Sequence, residues 1–344
     1  ENDPFKPLNG YTAIHPEPLP LAPENVFVFR GHTEGGKKGP QTLGWRNVFQ
    51  LPVQYDVELC DGLLRPESAV LATRMMPRNG LRRRFIVVDD KVNELYGDKM
   101  AAYFAHHDVE THVVVLRGEE RHKRMEAKNR VGSFYAPAGA FLDKSFIATQ
   151  DARNVVNGLG EIMKLALVRS VELFELLESE GPRLVAQRFQ GRDGAADRVI
   201  ELSVQIMLEE LGPNLWEQRL ERCVDYGHTF SKILEMGEGA DLMHGEAVNV
   251  DGFFCVVIAL RRGMIDLATH DRILAAMRRI GLPTCHMDVR PDVMARGLKD
   301  AVEHRDGQQR IPLLSGGIGS AVCVNDITES EVEAACADLW ALHG

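Results

Sequence analysis

From about residue 150 to the C-terminus, apolar residues recur at helical spacing almost without interruption, and no other feature constrains the fold as much. The spacing predicts helices over 151–178, 182–189, 195–211, 217–236, 243–262, 268–280 and 291–303. A strand pair at 309–314 and 319–324 follows, and a last helix opens at Thr328, where Glu331 three residues on completes a capping box. The segment before residue 150 reads differently. Residues 84–90 and 111–116 are predicted strands and 91–106 a helix between them, a βαβ unit that begins an open α/β sheet. Only one complete unit is present, and there is no glycine-rich phosphate loop. Upstream, 49–59 alternates in the manner of a strand or hairpin edge. Residues 1–40, rich first in proline and then in glycine, are expected to run extended over the surface or a partner subunit. The expected organisation is an extended segment at 1–40, an α/β dinucleotide-binding domain at 41–150 and a helical metal and substrate domain at 151–344.

Composition removes several classes of function. A net charge of -10, from 50 acidic against 40 basic residues, argues against a nucleic-acid partner, whose phosphates favour basic surfaces. No apolar run approaches the ~20 residues of a membrane span, and no basic-then-apolar leader pattern is seen, so a cytoplasmic location is expected. The cysteines (Cys60, Cys223, Cys255, Cys285, Cys323, Cys336) lack CxxC spacing and read as reduced thiols.

Chemistry concentrates in the helical half. His228, in Asp225-Tyr226-Gly227-His228-Thr229-Phe230-Ser231-Lys232, and His244, in Met243-His244-Gly245-Glu246-Ala247-Val248, are each flanked by glycine, which permits close approach of a ligand or another backbone. Glu161 is an acid in an otherwise apolar helical run, 158–164. Any one of the three reads equally as a buried histidine or a helix N-terminal acid. Together they suggest a catalytic zinc site, which takes three protein ligands and keeps one position open. In the α/β half, Asp89, Asp90 and Glu120 fall at the carboxyl ends of the strands, where such sheets bind ligands. These acids are placed either to accept hydrogen bonds from ribose hydroxyls or to cap the next helix.

Five motifs occur in an order that resembles the sugar phosphate cyclases, the superfamily of 3-dehydroquinate synthase. They are 118–123 with Glu120 and Lys123, 128–132 with Lys128 and Asn129, 161–164 with Glu161 and Lys164, 227–230 with His228, and 244–248 with His244. The resemblance implies an α/β N-terminal NAD-binding domain plus an all-α C-terminal metal-binding domain, a dehydroquinate synthase-like fold. It also implies a homodimer, a small-molecule sugar phosphate substrate, and NAD with Zn²⁺, or alternatively Co²⁺, as cofactors. Residue by residue, Glu161, His228 and His244 match metal ligands, and Asp89, Glu120 and Lys123 match NAD-binding positions. Lys128, Asn129 and Lys164 match substrate-binding positions, and Asp225 belongs to the same catalytic set. Lys232 stands where dehydroquinate synthases have a phosphate-contacting histidine; on a predicted helix it shares a face with His228. His304 reads as a proton shuttle or as a surface-loop histidine.

Three departures matter. Between the Glu120–Lys123 motif and Lys128 the family has a glycine-rich loop and further strands and helices, on the order of two βαβ units of ~30 residues each, so an internal segment is expected to be missing near Glu126 and Ala127. The family's carboxylate-binding lysine and arginine fall at Met207 and Glu221, neither of which pairs with a carboxylate, unless the ungapped count is out of register. The late lysine pair is replaced by 303–307. The pocket therefore resembles that of the sedoheptulose 7-phosphate cyclases, carbon–oxygen lyases that form valiolone-type C7 cyclitols by transient oxidation by NAD, phosphate elimination, reduction and aldol closure. The rival readings are a 3-dehydroquinate synthase, an alcohol dehydrogenase of the glycerol dehydrogenase kind, and a non-catalytic relative.

Overall fold

The computed structural model describes residues 54–74, 82–118, 137, 139–215, 219–236 and 241–343, together with the backbone of three strands at 17–18, 26–32 and 41–47. The chain divides into two compact units, one of Glu1–Glu58 with Ala72–Leu142, the other of Leu59–Leu71 with Asp143–Gly344.

In the first unit, β1 (Glu17–Pro18), β2 (Val26–His32) and β3 (Gln41–Asn47) form an antiparallel sheet, with β2 and β3 in register from Val26 opposite Asn47 to His32 opposite Gln41. Part of the proline- and glycine-rich segment is therefore hydrogen-bonded strand. β4 (Asp56–Cys60) and the short helix α1 (Val70–Thr73) follow. The predicted βαβ unit is present as β5 (Arg83–Asp89), α2 (Asp90–His106) and β6 (Glu110–Leu116), with β5 and β6 parallel from Arg83 opposite Glu110 to Asp89 opposite Leu116. Val88, Tyr96, Tyr103, Phe104 and Val109 are buried between strands and helix. Tyr103 also uses its hydroxyl oxygen to accept the Ala72 N–H at 3.1 Å. β7 (Gly139–Asp143) pairs with β4, and the boundary between the units falls within both strands.

The second unit contains α3 (Ala152–Arg169), α4 (Val171–Ala186), α5 (Ala195–Leu211), α6 (Ser231–Glu235), α7 (His244–Arg261), α8 (Leu267–Ile280) and α9 (Pro291–His304). The antiparallel pair β8 (Ile311–Leu314) and β9 (Ala321–Val324) and the final helix α10 (Glu329–Ala341) complete it. At the start of α10 the Thr328–Glu331 capping box is formed. α7 lies at the centre, and every residue from Gly245 to Ala259 is buried. Among the described residues, no helix is long and apolar enough to cross a membrane.

Three helix boundaries differ from those predicted. The expected 151–178 helix breaks at Ser170, whose extended backbone ends α3 while its Oγ accepts the Leu173 N–H to start α4. α4 then runs through Pro182 without the predicted stop. Proline removes the hydrogen bond that the Glu178 carbonyl would accept, and Arg279 donates to that carbonyl instead. The third correction bears on function. The helix expected at 217–236 is reduced to a 3₁₀ turn at Cys223–Asp225 and to α6, and His228 lies outside both. Gly227 adopts φ 73°, and a Cβ there would meet the Val248 carbonyl oxygen at 2.6 Å. A helix cannot continue through a residue held in that conformation. His228 and Lys232 therefore do not share a helix face.

Candidate metal centre

The site is built where α3 and α7 touch. A Cβ on Gly160 would lie 2.2 Å from the Gly245 carbonyl oxygen, and one on Gly245 would lie 1.9 Å from the Asn157 carbonyl oxygen, so only glycine permits this approach. The first N–H groups of a helix have no partner within it. In α7, the Gly245 and Glu246 N–H groups donate to Asn157 Oδ1 at 2.7 and 3.2 Å. Arg153 of α3 holds the Glu246 carboxylate through two bonds of 2.7 Å each, and Glu246 Oε2 accepts the Met243 N–H at 2.8 Å. The start of α7, where His244 stands, is thereby locked to the part of α3 that carries Glu161.

Glu161, His228 and His244 converge, and one ligand atom from each falls within 4.8 Å of the others. The Nε2 atoms of His228 and His244 lie 3.4 and 3.1 Å from Glu161 Oε1, and the two rings meet edge to face at 5.4 Å between centroids. The opposite ring nitrogens are anchored: His228 Nδ1 lies 3.1 Å from the Tyr226 carbonyl oxygen and His244 Nδ1 lies 2.9 Å from Glu235 Oε1. Carbonyl and carboxylate oxygens only accept, so each Nδ1 carries a proton, and each imidazole in its neutral form turns the Nε2 lone pair toward Glu161. Glu161 Oε1 is itself buried without a hydrogen bond. Three facing lone pairs repel unless a cation lies among them, and the donor set fits a divalent metal of the zinc type. The other oxygen, Glu161 Oε2, is 2.6 Å from the buried Lys164 ammonium.

The electrostatics of the metal-free site follow. Burial pushes the Glu161 carboxyl up, but His228, His244 and Lys164 more than offset this and hold it far below the ordinary carboxylate range. Glu161, and then Glu235, raise the His244 imidazole to about 10. Without metal, a proton on His244 takes part of the cation's place.

Among the described residues, no side-chain hydrogen bond or ion pair joins the remaining candidates to the three side chains, although the Asp225 carbonyl accepts the His228 N–H at 3.0 Å. Lys232 is exposed on α6 and has no ion pair among the described residues. Asp225 is held by Arg222 in a two-pronged pair of 3.0 and 2.8 Å. Glu221 is exposed, Met207 of α5 packs half-buried against the core, and His304 is the exposed last residue of α9. In the other unit, Asp89 ends β5 and caps α2, its Oδ1 accepting the N–H groups of Lys91 and Val92 at 2.8 and 3.1 Å. Its Oδ2 turns toward Gly118, just beyond β6, where a Cβ would lie only 1.8 Å away. Glu120, Lys123, Lys128 and Asn129 lie outside the described residues. Sequence reasoning missed Glu235, Asn157 and the Tyr226 carbonyl. None carries a local signal, since each acts on a residue brought to it by folding or through its backbone.

Known proteins agree with this architecture. The 3-dehydroquinate synthase C-terminal family matches residues 158–301. A 2-epi-5-epi-valiolone synthase of Streptomyces albus is 37% identical over 90% of this chain and 91% of its own length. One from an Actinoplanes species is 38% identical over 85% and 92%. Among solved structures, the 2-epi-5-epi-valiolone synthase ValA of Streptomyces hygroscopicus subsp. jinggangensis, with NAD⁺ and Zn²⁺ bound, matches with a TM-score of 0.79 at 37% identity, covering 87% of this chain and 100% of that one. An α/β unit followed by a helical unit built around Glu161, His228 and His244 is the dehydroquinate synthase-like fold. The chain belongs to the sugar phosphate cyclase superfamily. Within that superfamily, the relatives it resembles at these identities are valiolone synthases.

Proposed function

We propose that this chain is a sedoheptulose 7-phosphate cyclase that forms a valiolone-type C7 cyclitol, with a divalent metal held by Glu161, His228 and His244. The observation that carries the reading is the convergence of those three ligand atoms within 4.8 Å, with both imidazoles anchored through Nδ1. When bound, the metal supplies Lewis acidity to substrate hydroxyls and NAD a reversible hydride acceptor. Asp89 turns its Oδ2 toward Gly118 at the carboxyl end of the parallel strands, a place suited to ribose hydroxyls, and Glu120 and Lys123 complete that site in this reading.

The chain's own residues set substrate class by charge. Lys232, together with Lys128, Asn129 and Lys164, holds the phosphate and offsets negative charge that develops on the substrate. His304 relays protons at the exposed end of α9. A substrate carboxylate, as a dehydroquinate synthase requires, finds no matching cation. Met207 and Glu221 occupy the family's cationic positions. Arg222, next to Glu221, is bound to Asp225, and Lys164 is bound to Glu161. This supports a substrate with a neutral hydroxymethyl end.

The α/β unit in this reading lacks an internal segment near Glu126 and Ala127. The alignment with the Streptomyces albus relative runs over 385 positions, more than the 344 residues of the chain, so that relative carries residues without a counterpart here. Purified protein from the expressed gene, with Zn²⁺ and NAD⁺, is expected to convert sedoheptulose 7-phosphate to a cyclitol and phosphate and to leave the heptulosonate phosphate untouched, with no net NADH. Turnover of the heptulosonate alone would make it a dehydroquinate synthase, and steady NADH release a dehydrogenase. A mass of 38.4 kDa for the natural full-length protein would refute the missing segment.

A further inference from the structure

α7 carries His244 as its first residue, and two turns further on it carries Asp251, 0% exposed in the middle of a helix buried on every side. A carboxylate in that position is costly unless its oxygens are satisfied. Asp251 Oδ2 accepts three consecutive backbone N–H groups, those of Thr229 (2.8 Å), Phe230 (2.6 Å) and Ser231 (2.9 Å), and the Cys255 thiol approaches Oδ1 at 3.6 Å. These three residues immediately follow His228. The same stretch is docked on α7 at two more points: the Tyr226 hydroxyl donates to the Gly252 carbonyl at 2.6 Å, and Gly227 lies against Val248. Arg305 holds it from another side, donating to the His228 carbonyl at 3.3 Å and to Thr229 Oγ1 at 3.4 Å, while also binding the carbonyls of Gln309 and Arg310.

We infer that Asp251 is the positioning residue for His228, so that one rigid helix sets the place of both histidine ligands. His244 is fixed because it belongs to α7, and His228 because the backbone that follows it is hydrogen-bonded to the Asp251 side chain. The physical reason is geometric. Residues 226–230 form no helix and Ser231 only begins one, so the N–H groups of Thr229, Phe230 and Ser231 lack a helical acceptor, and a single buried side chain gathers all three at one point. Arg305 acts as the counterpart that keeps the loop from lifting off. The inference rests on the metal-centre reading above, and the test separates the two.

Metal-free protein is titrated with Zn²⁺ against a chromophoric chelator, and the visible spectrum of the Co²⁺ form is recorded. Asp251→Asn is expected to weaken Zn²⁺ about 10–100-fold and to change the Co²⁺ spectrum, while circular dichroism stays that of the folded protein. Because Asp251 acts through His228, the same substitution in a His228→Ala background is expected to cost no further affinity. Unchanged Zn²⁺ affinity in Asp251→Asn, or an equal loss with and without His228, overturns the inference. If Asp251→Asn does not fold, Arg305→Gln, on the partly exposed side of the loop, is expected to weaken Zn²⁺ about tenfold, with Arg305→Lys closer to wild type; no change in Arg305→Gln then overturns it. Wild-type protein that binds no Zn²⁺ overturns the metal centre itself.

Discussion

The two halves of the molecule treat apolar residues in opposite ways. In the helical unit Phe230, Phe253 and Phe254 are 0% exposed, and α7 is enclosed on all sides. In the α/β unit Phe85 is 68% exposed, Val87 55%, Val113 45% and Val115 46%, all from the parallel pair β5–β6. Parallel strands are ordinarily covered on both faces, and here α2 provides burial for Val88 while these side chains face away from cover. The helical unit closes around one buried core. Among the described residues the β5–β6 pair is left partly uncovered, and this agrees with relatives that carry residues absent from this chain.

That contrast can be broken by mutation. Phe254→Ala removes a fully buried ring that meets Phe230 edge to face at 5.2 Å, and is expected to cost about 3–5 kcal/mol in urea unfolding of the helical unit. Gly245→Ala forces a Cβ to within 1.9 Å of the Asn157 carbonyl oxygen. It is expected to cost about 1–3 kcal/mol and, by parting α3 from α7, to weaken Zn²⁺ in a chelator competition assay more than Phe254→Ala does. An outcome in which stability falls and metal affinity does not would uncouple the helix contact from the site.

The pH dependence comes next in size. His244, raised to about 10 by Glu161 and Glu235 in the metal-free protein, must release a proton to bind metal. Zn²⁺ affinity is therefore expected to rise with pH, roughly tenfold per unit from about pH 7 toward pH 10. The sign for the metal-free fold is opposite. A raised folded pKa contributes stability that is complete below the unfolded value of 6.5 and is lost as pH rises through about 10. A flat affinity profile over that range would show that His244 is not a ligand.

The smallest effect is expected at Phe85. Phe85→Ser should change the stability of this chain by no more than about 0.5 kcal/mol, because the ring is already largely in water. In a chain carrying the relatives' extra residues the same substitution should cost more, since further strands and helices would cover that face. Equal small effects in both chains would mean that the face is never covered.

Much of this was legible in the sequence, for reasons that are local. Glycine next to histidine marked both candidate imidazole ligands, and Gly160 and Gly245 are the residues whose missing side chains bring α3 and α7 together. The βαβ unit and the Thr328–Glu331 capping box depend on neighbours a few residues apart, and both formed as predicted. The helix expected at 217–236 did not. Its apolar spacing is helical, but Tyr226, Gly227 and the backbone of 229–231 bond to α7 more than twenty residues away. Lys232 was consequently placed on a face it does not share with His228. The sequence leaves Asp89 open between capping and ribose binding. The structure shows the cap on Oδ1 and leaves Oδ2 turned toward Gly118.

By itself, then, the sequence determined the βαβ unit, the mainly helical second half and the residue types that meet at Glu161, His228 and His244, because these depend on residue type and short-range periodicity. Only the tertiary structure decided how these three side chains are held. Glu235 on His244, the Tyr226 carbonyl on His228, Asn157 on the first N–H groups of α7 and Asp251 on the histidine loop are partnerships between residues distant in sequence or through the backbone. Their hydrogen bonds exist only after α3, α6 and α7 have packed, and no periodicity in one segment records what another segment will offer it.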